Sequence, residues 1–339
     1  MTIKEIKEKL QKPEYDFLRA DAHLGKNIAI LTLGGSHAYG TNVKGSDIDI
    51  RGMAVPTKKE ILLGQHYDQI EERKTDTVIY ELDKLIKLLC GCNPNTIEIL
   101  GNRPEAYLYV SKYGQMILDN KRLFLSKRAI RTFAGYADQQ LHRLKNKAAL
   151  ELNQAEKEKH IFESIENARY SFNTRYPTDL LELYLGPSDR PEMDTEIFFD
   201  FKGEHLSLRD FTSMMSELNN IVTSYNKVGA RNEKAIVHEK IQKHMMHLIR
   251  LYIMGIELIS EGTITTYREK EHDLLMDIRN KKYLDERELP SKEFYELLDD
   301  YVKQFEYAKK HTVLPDAPDM EAIEELEYTI CEDIVRTGD

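Results

Sequence analysis

Asp47 and Asp49 stand two residues apart in the run SDIDI (46–50), and a Gly34-Gly35-Ser36 turn lies upstream of them in GGSHAYGTNVKGSDID. On an extended strand, positions i and i+2 share a face. Both carboxylates therefore emerge together while Ile48 and Ile50 turn the other way into a core. Two ionised carboxylates so close repel one another unless a divalent cation neutralises them. An all-oxygen donor set suits Mg²⁺ or Mn²⁺, which also take substrate phosphates, and the chemistry this implies is two-metal phosphoryl transfer. The turn supplies what the carboxylates lack. Gly34 and Gly35 allow a sharp bend and close approach to a ligand, and Ser36 offers a hydroxyl and an amide to a phosphate. Ser46, which opens SDIDI, is a further candidate nucleotide contact. A Gly-Gly-Ser turn or a D-x-D pair alone describes many exposed strand ends; the two in this order and spacing are far more specific.

Regular elements must hold these groups in place. Residues 27–33 (NIAILTL) are short, apolar and β-branched and stop at the glycines, which predicts a buried strand. A second strand is predicted over 47–54 and a third over 75–81 (TDTVIYE). An amphipathic piece falls near 58–64. A helix follows over 82–92, with Leu82, Leu85, Ile86 and Leu89 on one face, and Asn93-Pro94-Asn95 stops it. Asp76 and Glu81 bracket the third strand; five apart, they face opposite sides of a regular strand, so only one is expected to join the metals. From about 112 the pattern is helical. Its clearest case is 238–259, where Ile241, Met245, Leu248, Tyr252, Ile256 and Ile259 line one face and Lys240, Lys243, His247 and Arg250 the other. That basic stripe is either solvated surface or a wall of the cleft that holds nucleotide phosphates. The expected fold is α+β: a mixed sheet with helices over 1–110, then a mostly helical domain over 111–339 ending in an acidic tail.

The apolar strand, the Gly-Ser turn and SDIDI on the next strand together resemble the nucleotidyltransferase superfamily of DNA polymerase beta. The segment DTVIYELDKLIKLLCGCNPNTIEIL (76–100) resembles one branch of it, the RlaP or YcgL-like predicted nucleotidyltransferases. A weaker likeness continues through KHMMHLIRLYIMGIELI and HDLLMDIRNKKY, with Asn280 where the family often has glycine. The resemblance implies that Asp47, Asp49 and Asp76, with Glu81 the rival for third place, hold two Mg²⁺ or Mn²⁺ ions. It implies that Gly35 and Ser36 cradle the triphosphate of an NTP such as ATP, and that an acceptor hydroxyl takes the NMP as pyrophosphate leaves. It further implies an RNA end as acceptor, in repair or processing beside an RNA ligase. Two other readings stand: transfer of AMP onto a protein, as in antitoxin-like relatives, and a non-catalytic chain that binds nucleic acid or a partner. Retention of mutually repelling carboxylates argues against the last.

Composition sets the remaining bounds. The chain has 339 residues, 41% apolar and 31% charged, long enough for two domains, and no Pro-, Gly- or Ser-rich linker stands out. MTIKEIKEKLQKPEY is no secretory signal, and no run of eighteen apolar residues occurs, so a cytoplasmic protein without a membrane partner is expected. Three cysteines, Cys90 and Cys92 as C-x-C and Cys331 alone, match neither a disulfide framework nor a zinc site. The histidines, His23 and His37 among them, lack metal-ligand spacing. The net charge of −10 alone argues against nucleic acid, but its distribution is uneven. Residues 315–339 carry nine acids against Arg336, whereas 121–147 carry eight Lys or Arg against Asp138, either a solvated helix face or an RNA-binding surface.

Overall fold

The computed structural model describes residues 2–150, 181–187, 195–201, 207–209, 211–216, 218–219 and 241–337. Two compact units divide the chain: Met1–Gln139, Met245–Tyr283 and Lys292–Asp339 form the first, Gln140–His244 and Leu284–Ser291 the second. The first contains a five-stranded mixed sheet of β1 (Ile28–Leu33), β2 (Ile50–Ala54), β3 (Gln69–Glu72), β4 (Thr77–Glu81) and β5 (Tyr107–Val110), in the order β3-β4-β2-β1-β5. The helices are α1 (Ile3–Lys9), α2 (Phe17–Ala20), α3 (Gly35–Tyr39), α4 (Lys58–Leu63), α5 (Leu82–Cys90), α6 (Pro94–Ile97), α7 (Lys112–Asp119), α8 (Arg128–Leu150), α9 (Ile241–Glu261), α10 (His272–Arg279), α11 (Lys292–Lys310) and α12 (Met320–Thr337). In the second unit, β6 (Leu181–Pro187) and β7 (Thr195–Phe201) pair antiparallel.

All six residues of β1 are buried, as befits a continuous apolar strand covered on both faces. The sheet core is built from Ile30, Ile50, Met53 and Ile79, and α5 lays Leu82, Leu85, Ile86 and Leu89 into it, the face read from the sequence. Neighbouring strands run antiparallel except for one pair. β2 and β4 are parallel, with Ile50 opposite Thr77 and Ala54 opposite Glu81. A parallel pair sets the two N-terminal ends side by side, so the residues just before β2 and β4 meet at one edge of the sheet.

Several sequence expectations are corrected. The second strand begins at Ile50, not 47, because its antiparallel partner ends at Leu33, opposite Ile50, where the chain turns into α3. The third begins at Thr77, not 75, because Asp76 sits at φ +47, outside strand geometry. The acidic end is no tail: α12 buries Ile323, Leu326, Ile330 and Ile334 in the first unit, and Asp333 and Asp316 pair with Lys112 and Lys127 at 2.5 and 2.7 Å. Nor is α9 two-faced, since Met246, Ile249, Ile253 and Met254 are buried along with the predicted apolar face. Residues 238–240, with Lys240, lie outside the described residues, as do the side chains of Lys145 and Lys147 in the basic segment.

Candidate active site

The site begins where β1 ends. The Gly34 amide donates to the Asp49 carbonyl at 2.9 Å, which sets the turn beside the chain entering β2. Gly35 adopts φ +52, and a Cβ there would lie 1.6 Å from Asp49 Oδ2. Any side chain at 35 would displace that carboxylate, so the glycine is required both by its dihedral angle and by the acid packed on it. The i, i+2 alternation survives although residues 47–49 are not formal strand: Ile48 and Ile50 are buried, Asp49 is half-buried and Asp47 is exposed.

Asp76 completes the group. Its carbonyl accepts from the Ile50 amide at 3.1 Å and from Arg51 Nη1 at 2.7 Å, while Arg51 Nη2 reaches its Oδ1 at 3.1 Å. The left-handed dihedral of a non-glycine residue is thus held through its carbonyl and its side chain. Burial pushes the Asp49 carboxyl up to about 7, and a hydrogen bond to Asp76 and that group's charge push the same way. Asp76 moves the other way: burial would raise its carboxyl, but the hydrogen bond with Asp49 and the Arg51 guanidinium hold it below its ordinary range. This all-oxygen pair fits a hard divalent ion, which would relieve the repulsion; exposed Asp47 does not cluster with it, since among the described residues the group of three acids or histidines with ligand atoms within 4.8 Å is His66, Glu81 and Asp83.

Glu81 lies elsewhere in the fold. It is 2% exposed and caps α5, accepting from the amides of Asp83 and Lys84 at 3.1 and 3.4 Å. Its potential ligand atoms group with those of His66 and Asp83, all within 4.8 Å, and not with Asp49. Of the two candidates for third carboxylate, the fold brings Asp76 to Asp49.

A cavity of about 1130 Å³ opens beside these residues, lined by His37, Ser46, Asp47, Ile48 and Asp76. Its cations are Lys9, Lys12, Lys44, Arg73 and Lys74, set among Glu5, Glu8 and Glu14. Ser46 Oγ accepts from the Val43 amide at 2.9 Å and from Arg279 Nη2 at 3.3 Å, so it ties the loop together. Ser36 is half-buried at the start of α3. His37 Nε2 is buried without a partner, and burial pushes the imidazole below its ordinary range. Lys243 is exposed in the second unit and His247 is half-buried. Arg250 turns inward, its guanidinium 3.5 Å from the centre of the Tyr39 ring.

Sequence reasoning set His37 aside and missed Arg51 and the cavity lysines Lys9 and Lys12. Arg51 had a signal, since 47, 49 and 51 share one face of DIDIR. The other residues had none without the tertiary structure. Residues 5–162, which include the region carrying this geometry, match the family described as RlaP: RNA repair pathway DNA polymerase beta family. No curated protein and no solved structure matches the chain.

Proposed function

We propose that this chain transfers a nucleoside monophosphate from an NTP to the hydroxyl of an RNA end. The observation that carries this is the convergence of Asp49 and Asp76 under the Gly34-Gly35-Ser36 turn, next to a cavity open to Asp47. Asp47, Asp49 and Asp76 would hold divalent ions, Mg²⁺ or Mn²⁺. When bound, these offset the triphosphate charge and stabilise the attacking and leaving oxygens.

The chain's own residues do the rest. Ser36 and the turn hold the triphosphate, and Gly35 leaves room for the Asp49 carboxylate packed on the turn. Asp76, at the cavity wall, takes the proton of the acceptor hydroxyl as the new oxygen–Pα bond forms. The bond from Pα to the bridging oxygen breaks, and pyrophosphate leaves. Lys9, Lys12, Lys44, Arg73 and Lys74 supply positive charge at the cavity. Lys243 and His247 stand as further candidates for phosphate contact. The family's place in RNA repair favours the RNA acceptor, and an RNA ligase acting on the same end is the partner such a reaction would serve.

The test is incubation of the purified chain with Mg²⁺, each α-labelled NTP, and either RNA with free 3′ hydroxyls or total protein. Label on RNA with stoichiometric pyrophosphate supports the reading. Label on protein alone would shift it to AMP transfer onto a protein, and no label on either would leave a binding role.

A further inference from the structure

Helix α3, which carries Ser36, is only five residues long. A single turn of helix does not hold its own shape in water, so something outside it must fix it. Tyr39 ends α3 and is 2% exposed, with its hydroxyl donating to Glu98 Oε2 at 2.6 Å. The other carboxylate oxygen of Glu98, Oε1, lies 3.7 Å from where a Cβ at Gly34 would stand. One carboxylate thus bonds the last residue of the Gly34–Tyr39 turn and lies beside the first, together with Arg51 and Asp49.

Glu98 is itself held firmly. It follows α6 in a tight helical turn, and its carbonyl accepts from Thr266 Oγ1 at 2.7 Å. Arg250 stacks on the Tyr39 ring at 3.5 Å, with its Nε buried and unpartnered. Burial pushes the Glu98 carboxyl up, while the charge of Arg250 and the Tyr39 hydroxyl draw it back. A buried ionic group is weak evidence for stability, because apolar residues of similar size commonly do as well. Its better-attested use is to fix one geometry among several, and here the geometry is that of the turn over Asp49.

We propose that Glu98 is a positioning residue. By receiving the Tyr39 hydroxyl and lying beside Gly34, it sets Ser36 and the 34–39 turn in the orientation that grips the triphosphate, and Arg250 provides its countercharge. The idea rests on the nucleotidyltransferase reading above and adds to it how the triphosphate subsite keeps its shape.

The test compares Tyr39→Phe, Glu98→Ala and Glu98→Gln in the full chain. Three quantities are measured: affinity for an α,β-methylene NTP with Mg²⁺, the separate kcat and acceptor KM, and amide hydrogen exchange over residues 35–41. Tyr39→Phe and Glu98→Ala are expected to weaken analogue affinity and kcat by up to about 10²-fold, the scale of a misplaced contact, with acceptor KM unchanged. Both should speed exchange over 35–41. Glu98→Gln keeps an acceptor for the hydroxyl and should restore exchange and affinity to near wild type. The inference is overturned if Glu98→Ala lowers only the melting temperature, with affinity, kcat and local exchange unchanged below it. It is also overturned if Glu98→Gln is as impaired as Glu98→Ala. Should Glu98→Ala fail to fold, Tyr39→Phe against Glu98→Gln decides. A wild-type chain that neither binds nor transfers any nucleotide would sink the functional reading instead, and the exchange measurement, which needs no substrate, would still judge the positioning role.

Discussion

Asp49 is held near a second carboxylate and partly out of water, and its carboxyl rises to about 7 for that reason. An acid whose folded-state value lies above its unfolded one binds its proton more tightly when folded. Stability is then greatest below the unfolded value and falls as pH climbs through the folded one, here between roughly 4 and 7. Asp49→Asn removes that loss. Relative to wild type and without metal, its melting temperature should be higher at pH 8 than at pH 5, while Mg²⁺-dependent transfer is abolished. A variant that kept most of its turnover would refute the metal assignment. For the third carboxylate, Asp76→Asn should cost at least about 10²- to 10³-fold in kcat, the scale of one preorganised electrostatic group. Glu81→Gln should leave kcat nearly intact and act instead on stability, by about 1 kcal/mol for a weakened helix cap. The reverse ranking in steady-state kinetics would give the catalytic place to Glu81.

At the scale of elements, the parallel pairing of β2 with β4 decides the site. Had β4 paired antiparallel, Glu81 would have stood beside Asp49 and Asp76 at the far end. The cavity draws cations from α1 and the segment after it, Lys9 and Lys12, and from the β3–β4 turn, Arg73 and Lys74. Lys9→Ala with Lys12→Ala is therefore expected to weaken RNA binding and to reduce its salt slope by about 1 per lysine lost. Lys243→Ala should do less. An equal or larger effect of Lys243→Ala in the same titration would return the role to the α9 stripe. The inward turn of Arg250 makes its own substitution a packing change as well as a charge change.

At the scale of the whole molecule, the sharp charge asymmetry of the sequence is partly neutralised in the fold. Lys127 of the basic segment pairs with Asp316, and Lys112 with Asp333. The acidic C-terminal region is thereby a packed element, and Ile330, fully buried on α12, tests it. Ile330→Ala should cost about 2–5 kcal/mol in denaturant unfolding. A loss within a few tenths would mean that α12 adds little to the first unit. Among the described residues, no helix is long and apolar enough to cross a membrane. The sequence by itself determined the apolar strand, the Gly-Ser turn, the alternation of Asp47 and Asp49 with buried Ile48 and Ile50 and the apolar face of α5, because each depends on spacing within a few residues. It left Asp76 and Glu81 undecided, took α12 for a tail and gave Arg250 to a solvent-facing or cleft-facing stripe. Strand direction, the pairing of charges far apart in the chain and the covering of α9 beyond its predicted apolar face are set by contacts between distant segments. Only the tertiary structure could put Asp76 beside Asp49 and Arg250 on Tyr39.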